Sequence, residues 1–244
     1  LIGGLVFQVR RLLSLRIMLD NGVAEGTAFS RLNIRGKRIQ AEYRAGASKL
    51  GTPELERATF VLAEYDALFF PGGHREEDII YDTDGSDTEG NVARVQSALL
   101  AYVQDGGTLY ASDWSYDLIE TLWPDRIDFY GDDVYPDDAQ VGEPATLTAT
   151  ISDTGLSEQL GGEKVDIHFD LDAWPVMKHV ADGRVYMRAD APVREGTQVS
   201  TQSEAPLMVS FPEGEGKVFY TSWRWSSNTH GRALESIQFM VRNM

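Results

Sequence analysis

Asp113 has the strongest claim to chemistry in this chain of 244 residues. It ends the run Gly107-Thr108-Leu109-Tyr110-Ala111-Ser112 and precedes Trp114 and Ser115. Thr108–Ser112 reads as a strand, and Trp114–Leu122, stopped by Pro124, reads as a helix. A carboxylate at such a junction acts as a nucleophile or base when a partner activates it. It also serves as a helix N-cap, where aspartate is favoured. Arg224 follows a second strand-like run, Val218–Ser222, and stands between Trp223 and Trp225. Its guanidinium stays protonated, so it cannot be a general base, but it suits a bidentate pair with a carboxylate. Both residues end strand-like runs, and open α/β sheets place their sites at the carboxyl ends of their strands. Trp114, Trp223 and Trp225 would then wall a pocket for a small ligand such as a sugar; ordinary core packing is the competing role for these tryptophans.

Other constellations carry less. There is no cysteine, which removes thiol nucleophiles, disulfides and thiolate metal sites. Ser112 lacks both glycines of a G-x-S-x-G elbow. Asp82–Glu89 looks like a calcium loop, yet position six is Asp87 and position twelve is Ala93 where glycine and glutamate are required. Asp166, His168, Asp170 and Asp172 alternate with apolar residues, as the polar face of a strand does. Asp132, Asp133, Asp137 and Asp138 read as an acidic loop. No metal and no cofactor are expected.

The elements that must hold these residues follow from pattern. Pro53–Ala63 reads as a short helix, and Ala67–Phe70 as a strand buried on both faces. His74–Asn91 is a polar loop. Val92, Val95, Leu99, Tyr102 and Val103 recur at helical spacing, closed by Gly106-Gly107. Beyond Pro124, short strands are expected at 146–151, 165–171, 185–189, 207–211 and 218–222, with a closing helix at 233–241. Strand, loop, helix, strand, turn, helix is the order of a doubly wound sheet. Before it, residues 29–34 and 39–41 suggest a hairpin turning at Arg35-Gly36-Lys37.

The net charge of −16 is uneven. Residues 1–50 hold nine Lys/Arg and three Asp/Glu, which leaves 13 and 35 for residues 51–244. We read 1–50 as a basic N-terminal segment, a truncated unit or an extension, and 51–244 as the domain. The acidic part disfavours nucleic acid and anionic membranes, and no apolar run is long enough to span a bilayer. The chain starts at Leu1 and is read as part of a larger, bacterial and extracytoplasmic protein.

Three segments carry a resemblance. Tyr65-Asp66-Ala67-Leu68-Phe69-Phe70-Pro71-Gly72-Gly73 resembles the strand and turn of the class I glutamine amidotransferase and DJ-1/PfpI-like group. Gly107–Ser115 resembles its nucleophile elbow, and Gly216–Arg224 its late strand ending in histidine. ThuA-like proteins compare well over the last two. The resemblance implies a three-layer α/β sandwich with a mostly parallel, flavodoxin-like central sheet and extra antiparallel strands in the C-terminal half. It implies that Gly72 and Gly73 bring backbone amides to the site, with His74 at its mouth and Ser115 beside the elbow. It also implies lost chemistry, because Asp113 replaces the cysteine, Arg224 the histidine, and Ser226 the acidic residue; Asp113 and Arg224 would then meet as an ion pair in place of the cysteine and histidine. The expected function is a non-catalytic amidotransferase-like domain, a pseudoenzyme that binds a small molecule or a protein. The alternative is a hydrolase of a small carbohydrate or amide that uses Asp113.

Overall fold

The computed structural model describes residues 14–20, 38–44, 66–70, 91–130, 139–171, 173–224, 227–228 and 231–243. The strands are β1 (Ser14–Asp20), β2 (Arg38–Arg44), β3 (Ala67–Phe70), β4 (Thr108–Ser112), β5 (Ile127–Phe129), β6 (Ala145–Ile151), β7 (Lys164–Phe169), β8 (Met177–Val180), β9 (Arg184–Glu195), β10 (Gln198–Glu213) and β11 (Gly216–Thr221). The helices are α1 (Asn91–Gln104), α2 (Tyr116–Leu122), α3 (Thr154–Leu160) and α4 (Gly231–Arg242). Among the described residues nine strands form one sheet in the order β2-β1-β3-β4-β11-β10-β9-β6-β7, while β5 and β8 pair separately. Among the described residues no helix is long and apolar enough to cross a membrane.

The parallel part is built from short apolar runs. β3 and β4 are buried at every position, as strands covered on both faces must be. Phe69, Tyr110 and Phe219 join one core cluster. Their neighbours Leu68, Phe70, Leu109, Ala111, Val218 and Tyr220 join another, because successive side chains leave a strand on opposite faces. Tight backbone contact fixes the entry to β11. A Cβ on Gly216 would lie 2.0 Å from the Val103 carbonyl oxygen and 2.3 Å from that of Gly107.

The expected mostly parallel, flavodoxin-like three-layer α/β sandwich is not what this chain forms. The sheet is mixed and rich in strand: β2, β1, β3, β4 and β11 run parallel, whereas β10, β9, β6 and β7 join antiparallel. The cause is the change in patterning after Phe129. β6 and β7 alternate buried and exposed residues, and the turns Gly196-Thr197 and Gly214-Glu215 connect their strands by two residues only. Such short connections permit antiparallel neighbours alone. The strand expected at 185–189 runs on through Glu195, and the one at 207–211 begins at Gln198, giving a long hairpin. A bulge interrupts it between Gln202 and Ala205, where Glu204 has φ +53. Asp190 Oδ1 accepts from the Glu204 amide at 3.0 Å, and Arg188 donates to the Glu204 carbonyl at 2.9 Å.

Two further expectations change. Ile39 and Ala41 do lie in a strand, β2, whose described partner is the parallel β1. The first arm of the expected hairpin, its turn, the 53–63 helix and the 74–90 loop lie outside the described residues. α3 went unforeseen. Asp153 caps it, accepting from Leu156 N at 2.8 Å, and Gly161 ends it with φ +68, the arrangement of a left-handed C-terminal cap.

Candidate functional site

Asp113 occupies a sharp turn between β4 and α2. A 3-10 turn, Asp113–Ser115, separates them, so the helix proper starts at Tyr116 rather than Trp114. Asp113 has φ +50, a region that non-glycine residues enter at a cost and that clusters at functional sites. Asp113 is not the N-cap of this helix, because the helix starts at Tyr116; Ser115 holds that place and makes no side-chain capping bond. The carboxylate is 2 % exposed. From β11, Tyr220 fixes the turn by donating its hydroxyl to the Asp113 carbonyl oxygen at 2.9 Å. Burial, and next the Asp113 charge, push the Tyr220 hydroxyl well above its ordinary pKa, so it remains a donor.

Arg224 leaves the end of β11 but does not bond to Asp113. Its Nη2 donates to both oxygens of Asp170 at 3.1 Å, and its Nε donates to Ser227 Oγ at 3.0 Å. Ser227 in turn donates to Asp170 at 2.6 Å. Burial alone would raise the Asp170 carboxyl, but the bonds from Ser227 and Arg224 and the guanidinium charge outweigh it and hold the pKa below its usual value. Just beyond, Asn228 accepts from the His168 amide and donates to the His168 carbonyl, each at 2.9 Å. Arg232 donates to the Lys164 carbonyl at 3.0 Å. These side chains cover the outer edge of β7.

Asp113 and Arg224 nevertheless border one shallow depression of about 10 Å³ that opens to solvent, room for about one water. His168, Phe169, Asp170, Leu171, Trp174 and Trp223 complete its lining. The His168 ring is engaged with Thr146, Nδ1 to Oγ1 at 2.9 Å. Phe169 and Trp174 stack with ring centroids 3.9 Å apart, and the Trp174 indole donates to the Glu143 carbonyl at 2.8 Å. Trp223 is both core and wall, being 1 % exposed within the larger cluster. Trp114 donates its indole N–H to the Ala173 carbonyl at 3.0 Å, and Ser115 is buried in the turn. Gly72, Gly73, His74, Trp225 and Ser226 lie outside the described residues, and among those described no cluster of His, Asp and Glu suits a metal ion.

Sequence reasoning brought Asp113, Trp223 and Arg224 together and missed Asp170, Phe169, Leu171, Trp174 and Ser227 as their neighbours. Asp170 was visible only as one acidic residue of an alternating strand. Its partner lies 54 residues away, a separation no local pattern reports.

Comparison with protein-family models finds no match, and neither does comparison with curated proteins. Solved structures do match. Cytoplasmic Protein STM1381 from Salmonella typhimurium LT2 is 13% identical with a TM-score of 0.58, covering 91% of this chain and 99% of its own. Cytoplasmic Protein STM3548 from Salmonella typhimurium is 11% identical with a TM-score of 0.57, covering 92% and 98%. PurLQS from Thermotoga maritima is 14% identical with a TM-score of 0.56, covering 94% and 98%. Likeness at such identities concerns the fold alone. It gives no support to the amidotransferase-like, DJ-1/PfpI-like and ThuA-like terms, which are withdrawn with the sandwich architecture; the chain shares a mixed-sheet fold with these proteins.

Proposed function

We propose that this chain is a non-catalytic module that binds a small polar ligand in the depression beside Asp113. One observation carries the reading: a buried aspartate is held at φ +50 beside a solvent-open hollow lined by two tryptophans and an arginine. Strain of this kind persists where the surrounding structure over-determines it. A carboxylate, a guanidinium and indole rings suit hydroxyl-rich neutral molecules, which need both acceptors and flat apolar walls. Chemistry is disfavoured by the neighbours. Arg224 does not release its proton and is already engaged by Asp170 and Ser227, while the His168 ring bonds to Thr146.

A thermal-shift series tests the reading with monosaccharides, polyols, small amides and calcium as probes. A polyol or sugar is expected to raise Tm, and Asp113→Asn and Arg224→Ala are expected to abolish the rise. No shift from any probe, or a shift that both variants keep, would sink it. The second reading, a hydrolase using Asp113, draws on the same backbone: a strand-to-helix turn with a strained residue at its apex is how α/β hydrolases present a nucleophile. Turnover of a chromogenic glycoside or amide that Asp113→Asn destroys, with folding intact, would favour it.

A further inference from the structure

The distal half of β10 points to a second copy of this chain. Across the hairpin Val199 pairs with Arg194 and Thr201 with Pro192. The Arg194 amide donates to the Val141 carbonyl at 2.7 Å, and the Pro192 carbonyl accepts from the Glu143 amide at 2.9 Å. Both β9 residues thus turn their backbone groups away from β10. Opposed residues of an antiparallel ladder share that state, so Val199 and Thr201 turn theirs away from β9, to the outer side. β11 covers that side only over Met208–Glu213. Residues 198–201 are exposed, and Val199, at 55 %, is the one exposed large hydrophobic side chain among the described residues.

Exposed edges are usually blunted by charge, proline or a covering element. The outer edge of β7 follows that rule through Asn228 and Arg232. The β10 edge does not. Gly196-Thr197-Gln198-Val199-Ser200-Thr201-Gln202-Ser203 carries no charge in a chain whose net charge is −16. Two such molecules repel across most of their surfaces and approach most cheaply where charge is absent. A neutral strand edge is also self-complementary about a two-fold axis.

We infer that Gln198–Gln202 is a strand-addition surface through which two copies pair antiparallel. With Ser200 on the axis, Val199 meets the partner's Thr201 on either side, and the outward amides and carbonyls of both satisfy one another. So short an edge falls well below the roughly 1,200 Å² of a stable interface, so the dimer is weak and concentration-dependent. Salt strengthens it by screening the like charges.

Sedimentation velocity on the full chain, over a wide range of concentration and at low and high salt, tests this. The wild type is expected to shift from monomer to dimer, at lower concentration in high salt. Val199→Pro removes an outward donor without touching the β9 ladder, and Thr201→Glu places like charges near the axis. Each is expected to weaken dimerisation about tenfold or more, with circular dichroism and Tm as controls for folding. A monomer at every concentration, or a dimer that neither variant weakens, would overturn the inference.

Discussion

Removing one hydroxyl from Tyr220 isolates what holds the Asp113 turn. Tyr220 is fully buried, and its ring meets Phe129 edge-on with centroids 5.4 Å apart. Phenylalanine keeps that contact and fills nearly the same volume, so Tyr220→Phe deletes only the 2.9 Å bond to the Asp113 carbonyl. The Asp113 carbonyl keeps the Tyr116 amide as a donor, so the loss is that of one hydrogen bond, about 0.5–1.5 kcal/mol. For a chain of this length each kcal/mol corresponds to about 2–4 °C in Tm, so a mid-range loss of about 1 kcal/mol predicts a fall of about 2–4 °C. Tyr186→Phe provides the comparison. It deletes a 2.9 Å hydroxyl contact with Ser210, also buried but away from the turn. Both variants are expected to lose stability in urea and in heat, and only Tyr220→Phe is expected to weaken binding of whatever probe shifts the wild type. A Tyr220→Phe protein with unchanged Tm, or equal effects of the two variants on binding, would refute the claim that this bond positions the turn.

Three other outcomes follow from the same structure. Gly216→Ala forces a methyl into the Val103 and Gly107 carbonyls, and overpacking of that kind costs about 1–3 kcal/mol, measurable as a lower urea midpoint. Asp170 has a lowered folded pKa, so its contribution is present above its unfolded pKa near 4 and is lost as pH falls through the folded value; the acid limb of the stability–pH curve is expected to be shallower in Arg224→Ala. Asn228→Ala strips the cover from the His168 amide and carbonyl, and hydrogen exchange at the His168 amide is expected to accelerate while the β4 amides stay protected.

The legible parts of this chain were those whose signal is local. Ala67–Phe70 reads as a buried strand and Thr108–Ser112 as a strand, and both are strands buried at every position. The closing helix expected at 233–241 is present as Gly231–Arg242. What escaped was relational. Nothing in Arg184–Glu195 or Gln198–Glu213 states how far a hairpin extends, because polar positions such as Ser200 and Gln202 alternate there without an apolar partner to mark them. Asp153 and Gly161 are good cap residues at the right spacing, yet so short a helix was hidden among strands. At the site, the resemblance implied Asp113, at the elbow, as the partner of Arg224, whereas the guanidinium bonds to Asp170 from the far edge of the sheet.

That choice of partner is a statement about the shape of the sheet. β11 and β7 stand four places apart in the strand order, and at about 4.8 Å per step a flat sheet would separate them by roughly 19 Å. Yet Arg224 reaches Asp170 at 3.1 Å, Asn228 bonds to the backbone of His168, and Phe169 and Trp223 share one cluster with Phe219. The antiparallel half must therefore curl until the end of its edge strand returns beside the end of β11, as the right-handed twist of sheets allows. The hollow beside Asp113 is a product of that curl, with the parallel strands supplying the strained aspartate and the returning edge supplying Phe169, Asp170 and Trp174. A purely parallel sheet carrying the same Asp113 turn would lack those walls. The switch to alternating strands after Phe129, which departs most from expectation, is then what encloses the candidate site.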